Sequence, residues 1–345
     1  MKPVRMKDIA RDLGVSVITV SKALRDHSDI SDATRARVLK RVKELNYKPN
    51  YAARALVTGR SNMIGLIVPD LVHSFYSEVG NGLSGVLRKH GYNLVISSSD
   101  EDQEIENQMI DQLMARRVDC LVIASANWTQ SSLKRITDAN IPLVLLDRKM
   151  LGIDASFVGG DDELIGAMAT EHLIEIGCRT IAHVGGSKVS PARGRLDGYK
   201  KTLAKHHMSP GPNYIAVSES LDHLAHETGY ESATKLLKLN PRPDGIFCFS
   251  DPLAIGAIRA ILESGLRIPE DVALIGCGNL HYDAYLRVPL SSIDQQSFAI
   301  GERAAALAVE TIEGGTENGS KAKPRTILLP PKLVIRASTQ RKPAS

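Results

Sequence analysis

Two sets of side chains in this chain of 345 residues have the types and spacing to do chemistry. The first is cationic. Residues 1–60 hold fourteen lysines and arginines against six acidic residues, a net charge of +8, while the whole chain carries only +4. Residues 61–345 therefore sum to −4. A basic head on a mildly acidic body is the distribution expected where one module neutralises phosphates. The second set lies in the body, close to short apolar runs: Asp70, Phe75 and Tyr76, Asp147 with Arg148, Arg193 and Arg195, Ser250 with Asp251, and Gln295. Carboxylates, guanidiniums and an amide so placed bind a small polar ligand through charge-assisted hydrogen bonds.

Covalent and metal chemistry find no support. The four cysteines, Cys120, Cys178, Cys248 and Cys277, are far apart and form no CxxC pair. They read as reduced core residues of a cytosolic protein. His206-His207 reads as a solvated turn, and no nucleophile elbow or P-loop occurs. Gly80-Asn-Gly-Leu-Ser-Gly85, with Asp100 twenty residues on, fits a dinucleotide fingerprint. That fingerprint needs its first glycine in the turn right after a strand. Here Phe75, Val79, Leu83, Val86 and Leu87 place the glycines inside one amphipathic helix. The expectation is a protein with no catalytic residues, no metal and no cofactor, and not an enzyme.

The elements that must position the cationic set are helices. Ile9, Ala10 and Leu13 form one apolar face, Gly14 breaks it, and Val17, Val20, Ala23 and Leu24 recur at helical spacing behind Ser16, a good N-cap. Small Ala10 and the turn at Gly14 give helix-turn-helix geometry, whose second helix enters the DNA major groove. A third helix opens at Ser31 and runs to about Leu45, with Val38, Leu39, Val42 and Leu45 on its packed face. Tyr51–Leu56 is helix-prone but about two turns long, so it needs a partner to form. Val57–Ser61 reads as a linker.

From Met63 short apolar runs alternate with amphipathic helices in two successive series. The first runs from Ile64–Val68 to Leu143–Leu146 and the second from Leu164–Ile176 to Val272–Ile275. Such alternation implies parallel sheets with right-handed crossovers, here in two lobes. Ligands of such folds bind beyond the carboxyl ends of the strands, here in the cleft between lobes. Hydrophobic residues make up 43% of the chain and aromatics only 4%. The low aromatic content argues against a carbohydrate-stacking surface. The polar start resembles no signal peptide, and no apolar run reaches the roughly 18 residues of a membrane helix.

These residues resemble the lac repressor/galactose repressor (LacI/GalR) family of bacterial transcription regulators. The likeness rests on Lys7-Asp-Ile-Ala with Gly14-Val-Ser and Thr19-Val-Ser, Leu45-Asn-Tyr-Lys-Pro-Asn50, Ile64-Gly-Leu-Ile-Val-Pro-Asp70, Arg195-Leu-Asp-Gly-Tyr199, Pro269-Glu-Asp-Val272 and Leu328–Arg336. The body motifs are shared with periplasmic sugar-binding proteins. The resemblance implies an all-α helix-turn-helix head followed by a bilobed α/β core of the periplasmic-binding-protein-like type I fold with parallel sheets. It implies domains at 1–49, a hinge and linker at 50–60, and a core at 61–345. The N-lobe would take about 61–159 and 293–320, the C-lobe about 160–290 and 321–340.

Carried over residue by residue, Val17, Ile18 and Lys22 would face base edges, while Ser16, Thr19, Ser21 and Asn50 hold phosphates. Val17-Ile18 departs from relatives with a polar residue there. Apolar groups touch the thymine methyl but cannot read purines by hydrogen bonds. Leu56 would be a wedge entering the minor groove beside Ala53. In the body, Arg195 would bind effector. Gly278 stands where relatives commonly carry aspartate, and Ser250 where asparagine is frequent. With Arg148, Arg193 and Arg195 these departures favour an effector bearing carboxylate or phosphate over a neutral hexose. The expected function is a cytoplasmic, effector-controlled regulator, most simply a repressor, binding a pseudopalindromic operator as a homodimer, with no membrane partner. The tail after Arg336 lacks the leucine heptads of a tetramerising coil. Whether effector releases or promotes DNA binding stays open. A solute-binding protein shares the bilobed body, but the basic head weighs against it.

Overall fold

Helix α1 (Met6–Leu13) starts where the Arg5 amide donates to Asp8 Oδ2 at 2.9 Å, and stops at Gly14, whose φ of +66° is left-handed. Only glycine takes that conformation without strain. Helix α2 (Val17–Leu24) is capped by the Ser16 hydroxyl, which accepts from the Thr19 amide at 3.0 Å. Helix α3 (Asp32–Glu44) is capped by Ser31 in the same way. Ile9, Ala10, Val20, Ala23, Val38 and Tyr47 make the buried core of this bundle. Leu39, expected on the packed face of α3, stands 47% exposed. The face runs through Val38, Val42 and Leu45, and Leu39 lies one residue, about 100°, off it.

This computed structural model describes residues 4–48, 59–126, 131–150, 152–185, 189–209, 211–217, 224–317 and 323–341. The expected hinge residues Asn50, Ala53 and Leu56 lie outside them. The chain divides into two compact units, Met1–Ser61 and Asn62–Ser345.

The second unit holds two six-stranded sheets. The first contains β1 (Met63–Val68), β2 (Asn93–Ser98), β3 (Cys120–Ile123), β4 (Leu143–Leu146), β5 (Ser156–Gly160) and β11 (Thr326–Leu329), in the order β11-β5-β4-β3-β1-β2, all parallel. The second contains β6 (Ile181–Gly185), β7 (Ile215–Val217), β8 (Gly245–Cys248), β9 (Ala273–Cys277), β10 (Ser291–Asp294) and β12 (Lys332–Val334), in the order β12-β10-β9-β8-β6-β7, with only β12 antiparallel. The chain therefore passes between lobes after β5, after β10 and after β11. The last crossing corrects the expected boundary. Residues 326–329 belong to the N-lobe, because β11 pairs with β5 from Thr326↔Phe157 to Leu329↔Gly160. Among the described residues no helix is long and apolar enough to cross a membrane.

Helices α4 (Ser74–Lys89) and α11 (Ser297–Glu317) cover one face of the first sheet, and α5 (Gln103–Ala115) and α6 (Ser131–Asp138) the other. On the second sheet α7 (Asp162–Glu175) and α8 (Ser190–Lys205) cover one face, and α9 (Ala225–Leu236) and α10 (Asp251–Glu263) the other. Three of these helix pairs meet through reciprocal glycines. A Cβ on Gly82 would lie 2.2 Å from the Phe298 carbonyl and one on Gly301 2.1 Å from that of Val79. Gly166 and Gly198 stand in the same relation across α7 and α8, and Gly229 and Gly256 across α9 and α10. Gly80 and Gly82 of the apparent dinucleotide fingerprint thus sit inside α4, where Gly82 serves helix packing.

Candidate functional site: a basic helical head and a cleft between lobes

On the head, Val20 and Ala23 face inward and leave Val17 (43%) and Ile18 (67%) exposed on α2. The Ser16 hydroxyl also meets that of Thr19 at 2.9 Å. Arg25 donates to the Ser21 carbonyl and hydroxyl, both at 3.3 Å. Lys22 is ion-paired with Asp29. One small surface thus gathers two apolar side chains, hydroxyls and a paired ammonium at a helix whose N-terminal amides suit anions.

The second site lies between the lobes, at the carboxyl ends of both sheets. It is lined by His73, Phe75, Tyr76, Asp147, Arg148, Val189, Pro191, Arg195, Phe249, Ser250, Cys277 and Gln295. His73, Val189 and Ser250 are the N-caps of α4, α8 and α10, so three positive helix ends converge there. Arg195 is 3% exposed. Its Nε donates to Asp162 Oδ1 at 3.1 Å, Nη1 to the Phe249 carbonyl at 2.7 Å and Nη2 to Gln295 Oε1 at 2.8 Å. The guanidinium also lies 4.5 Å from the centre of the Phe249 ring. Burial pushes the Asp162 carboxyl up to about 6 against the pull of Arg195.

Arg148 is held by both oxygens of Glu101, with Nη1 to Oε2 at 2.8 Å. Burial opposes its charge, but Tyr76, Glu101 and Asp147 outweigh burial and raise its pKa. The Tyr76 hydroxyl donates to Asp147 Oδ2 at 3.2 Å. Phe75 and Tyr76 meet edge to face with ring centres 5.0 Å apart. The cleft is partly open to solvent, and the centres of water-sized molecules have about 30 Å³ available between these side chains.

Of the residues expected to bind effector, Phe75, Tyr76, Asp147, Arg148, Arg195, Ser250 and Gln295 come together here, and Asp70, Arg193 and Asp251 do not. Asp70 Oδ1 accepts from the Val72 amide at 2.7 Å and shapes its own loop. Arg193 is exposed, two helical positions and about 200° away from Arg195. Asp251 is wholly buried beside β9 and β10, accepting from the Ser292 hydroxyl at 2.7 Å and the Leu280 amide at 3.2 Å. A Cβ on Gly276 or Gly278 would lie 2.1 or 2.8 Å from that carboxylate. Gly278 is therefore where the chain makes room for Asp251.

Sequence reasoning missed His73, Val189, Pro191, Phe249 and Cys277 in the lining, and Glu101 and Asp162 behind it. Asp162 could have been found from Gly160-Asp-Asp162, had Phe157-Val158 been recognised as a strand. Of the fifteen aromatics of the chain three, Phe75, Tyr76 and Phe249, stand in the cleft wall with His73.

Residues 5–50 match the family described as bacterial regulatory proteins, lacI family, and residues 170–339 match the periplasmic binding protein-like domain. The chain is 34% identical over 335 residues to the ribose operon repressor of Haemophilus influenzae, covering 96% of this chain and 98% of that protein. A crystal structure of the lac repressor dimer bound to operator and the anti-inducer ONPF is 27% identical with a TM-score of 0.84, covering 98% of this chain and 99% of that one. The transcriptional regulator CelR in complex with cellobiose is 26% identical with a TM-score of 0.73, covering 97% and 99%. With a helix-turn-helix head, two lobes of parallel sheet and a polar cleft between them, this chain belongs to the lacI family: it is a DNA-binding repressor, not an enzyme, regulated by an effector bound in its periplasmic-binding-protein-like core.

Proposed function

We propose that the repressor binds a pseudopalindromic operator as a homodimer in the cytoplasm, and that its effector is a neutral, polyhydroxylated sugar. The observation that carries the effector assignment is the pairing of the cleft arginines. Glu101 neutralises Arg148, Asp162 neutralises Arg195, and Asp147 is a third carboxylate. Among the described residues no surplus of positive side-chain charge is left for an acid or phosphate, which revises the expectation from the sequence. Two of the five N–H groups of Arg195 are not used among the described residues. They, Asp147 and Gln295 offer donors and acceptors to hydroxyls, and Phe75, Tyr76 and Phe249 offer apolar ring faces. A ribose operon repressor and a cellobiose-bound regulator among the similar proteins agree with this chemistry.

On DNA, Val17 and Ile18 meet thymine methyls, Lys22 makes the polar base contact, and Ser16, Thr19, Ser21 and Asn50 hold phosphates. Ala53 and Leu56 enter the minor groove of the kinked centre. Exposed Val72 (80%), Ile96 (43%, on edge strand β2) and Tyr285 (86%) suit a surface covered by a second copy, and the lac repressor relative is a dimer. Effector and DNA affinities are then linked by a coupling free energy of about 1–3 kcal/mol.

The test is calorimetry with neutral mono- and disaccharides, sugar acids and sugar phosphates, followed by operator titration with whichever compound binds. A neutral sugar that binds the wild type, fails to bind Arg195→Ala and shifts operator affinity is the expected result. Binding of acids or phosphates alone would overturn the assignment.

A further inference from the structure

Lys22 does not project freely from α2. Its ammonium is paired with Asp29, and His27 Nδ1 lies 3.0 Å from the same carboxylate. The loop carrying Asp29 is braced in turn. Arg35 donates to the carbonyls of His27 at 3.0 Å and Ile30 at 3.4 Å, and pairs with Asp26 at 2.9 Å and Asp32 at 3.0 Å. A carboxylate beside the groove-entering helix of a head with net charge +8 repels phosphates. Nor does stability explain it, since Asp29 is 47% exposed and ion pairs so exposed contribute little.

We propose that Asp29 is a specificity-determining positioning residue, holding Lys22 for a guanine edge and withholding it from phosphates. The proposal rests on the reading of α2 as the groove-entering helix with Lys22 as its polar reader. An ammonium has three N–H donors. One on Asp29 leaves two for the O6 and N7 acceptors that guanine presents in the major groove. Tethered and neutralised, Lys22 adds nothing to the sequence-independent release of counterions. It gains partners only where a guanine lies beneath it. Its neighbours Val17 and Ile18 read no hydrogen bonds, so this pair carries the hydrogen-bonded part of the code on α2.

The test uses full-length wild type, Asp29→Asn, Asp29→Glu, Lys22→Met and the Lys22→Met/Asp29→Asn double variant, each checked by thermal melting. Each is titrated at several salt concentrations on an operator selected from random DNA, on copies with every half-site base pair exchanged in turn, and on a scrambled duplex. Asp29→Asn is expected to bind the scrambled duplex about 3- to 10-fold tighter, with a salt slope steeper by about one phosphate. At one G·C pair its preference should fall from about tenfold or more to under about threefold. Asp29→Glu should keep that preference, and in the Lys22→Met background Asp29→Asn should leave discrimination at every base pair unchanged. If Asp29→Asn keeps discrimination at every base pair while Lys22→Met loses it at one, the role of Asp29 is overturned and Lys22 still reads DNA. If Lys22→Met keeps discrimination everywhere, the reading of Lys22 falls and the proposal with it.

Discussion

In the N-lobe, α4 and α11 meet across Gly82 and Gly301 on one face of the sheet, while α5 and α6 cover the other with Ile110, Leu113, Leu133 and Ile136. In the C-lobe both faces carry a glycine-matched helix pair. The C-lobe interior is also wired with polar groups. His183 sits between Tyr199 and Phe247 and bonds the Phe247 carbonyl at 3.0 Å. His172 bonds Thr339 at 2.8 Å, and Ser291 and Ser338 tie the tail segment Ala337–Thr339 to β9 and β10. One topology is thus held in two ways. The N-lobe relies more on apolar area, which tolerates volume-conserving change. The C-lobe relies on close backbone approach and satisfied buried polar groups, which fail sharply when one partner is lost.

The largest effect expected is at Arg195, where the polar wiring reaches the cleft. Arg195→Ala leaves Asp162 buried without its partner, and breaking such a pair costs about 3–5 kcal/mol. The cost should depend on pH. Burial already lifts the Asp162 carboxyl to about 6, so below that value it takes up a proton and needs no cation. Urea unfolding at pH 7.5 and 5.5 should show the deficit shrinking at the lower pH. An equal deficit at both would mean that Asp162 rehydrates, and that the pair does not set the stability of this wall.

Next in size is the glycine contrast. Gly229→Ala would put a methyl 2.0 Å from the Leu253 carbonyl. Backbone must move, and overpacking of this kind costs about 1–3 kcal/mol. Gly85, inside α4 of the N-lobe, has nothing within 4 Å of its built Cβ. Gly85→Ala should therefore stabilise, by about 0.5–1 kcal/mol from helix propensity alone. Opposite signs in paired thermal melts would show that close backbone approach, not helix propensity, decides what a helical glycine contributes here. A neutral Gly229→Ala would mean that α9 and α10 can slide apart.

Most of the fold was legible in the sequence because strand-helix alternation is a local signal. The head was legible down to the caps at Ser16 and Ser31. What escaped was set by tertiary context. β5 offers only Phe157 and Val158 before Gly159-Gly160, too short a run to announce a strand, and with it went Asp162. β11 is assigned to the N-lobe by its pairing with β5, a partner more than 160 residues away. In the cleft, side-chain type and position at strand ends found seven of the twelve lining residues. Asp251 had the same local signature, an acid after an apolar strand, yet turns into the protein because two glycines leave room for it. The Glu101 and Asp162 partners, which decide the electrostatics, lie far from their arginines in the chain.

The smallest effect at neutral pH, and the sharpest test of the difference between lobes, is in the slope of stability with pH. Burial lowers the pKa of His183 to about 4, below the roughly 6.5 of an exposed histidine. Between those values the unfolded chain binds a proton that the folded one refuses, so stability falls as pH drops through that range. Burial, then the adjacent Asp251, raises Asp283 to about 9, above the ordinary carboxylate range near 4. Here the folded chain holds a proton that the unfolded one has lost, so stability falls as pH rises. Both groups belong to the C-lobe. Between about pH 4 and 6.5 the two slopes oppose and largely cancel, so hydrogen exchange should show protection of β6, β8 and β9 nearly level from pH 5 to 6.5 and declining toward pH 9, ahead of β1, β3 and β4. Asp283→Asn should flatten the alkaline decline and uncover an acid decline toward pH 5, and His183→Gln should extend the loss of protection with rising pH down to pH 5. Equal decline in the two sheets, or slopes indifferent to both substitutions, would show that the polar wiring of the C-lobe does not govern how the repressor loosens.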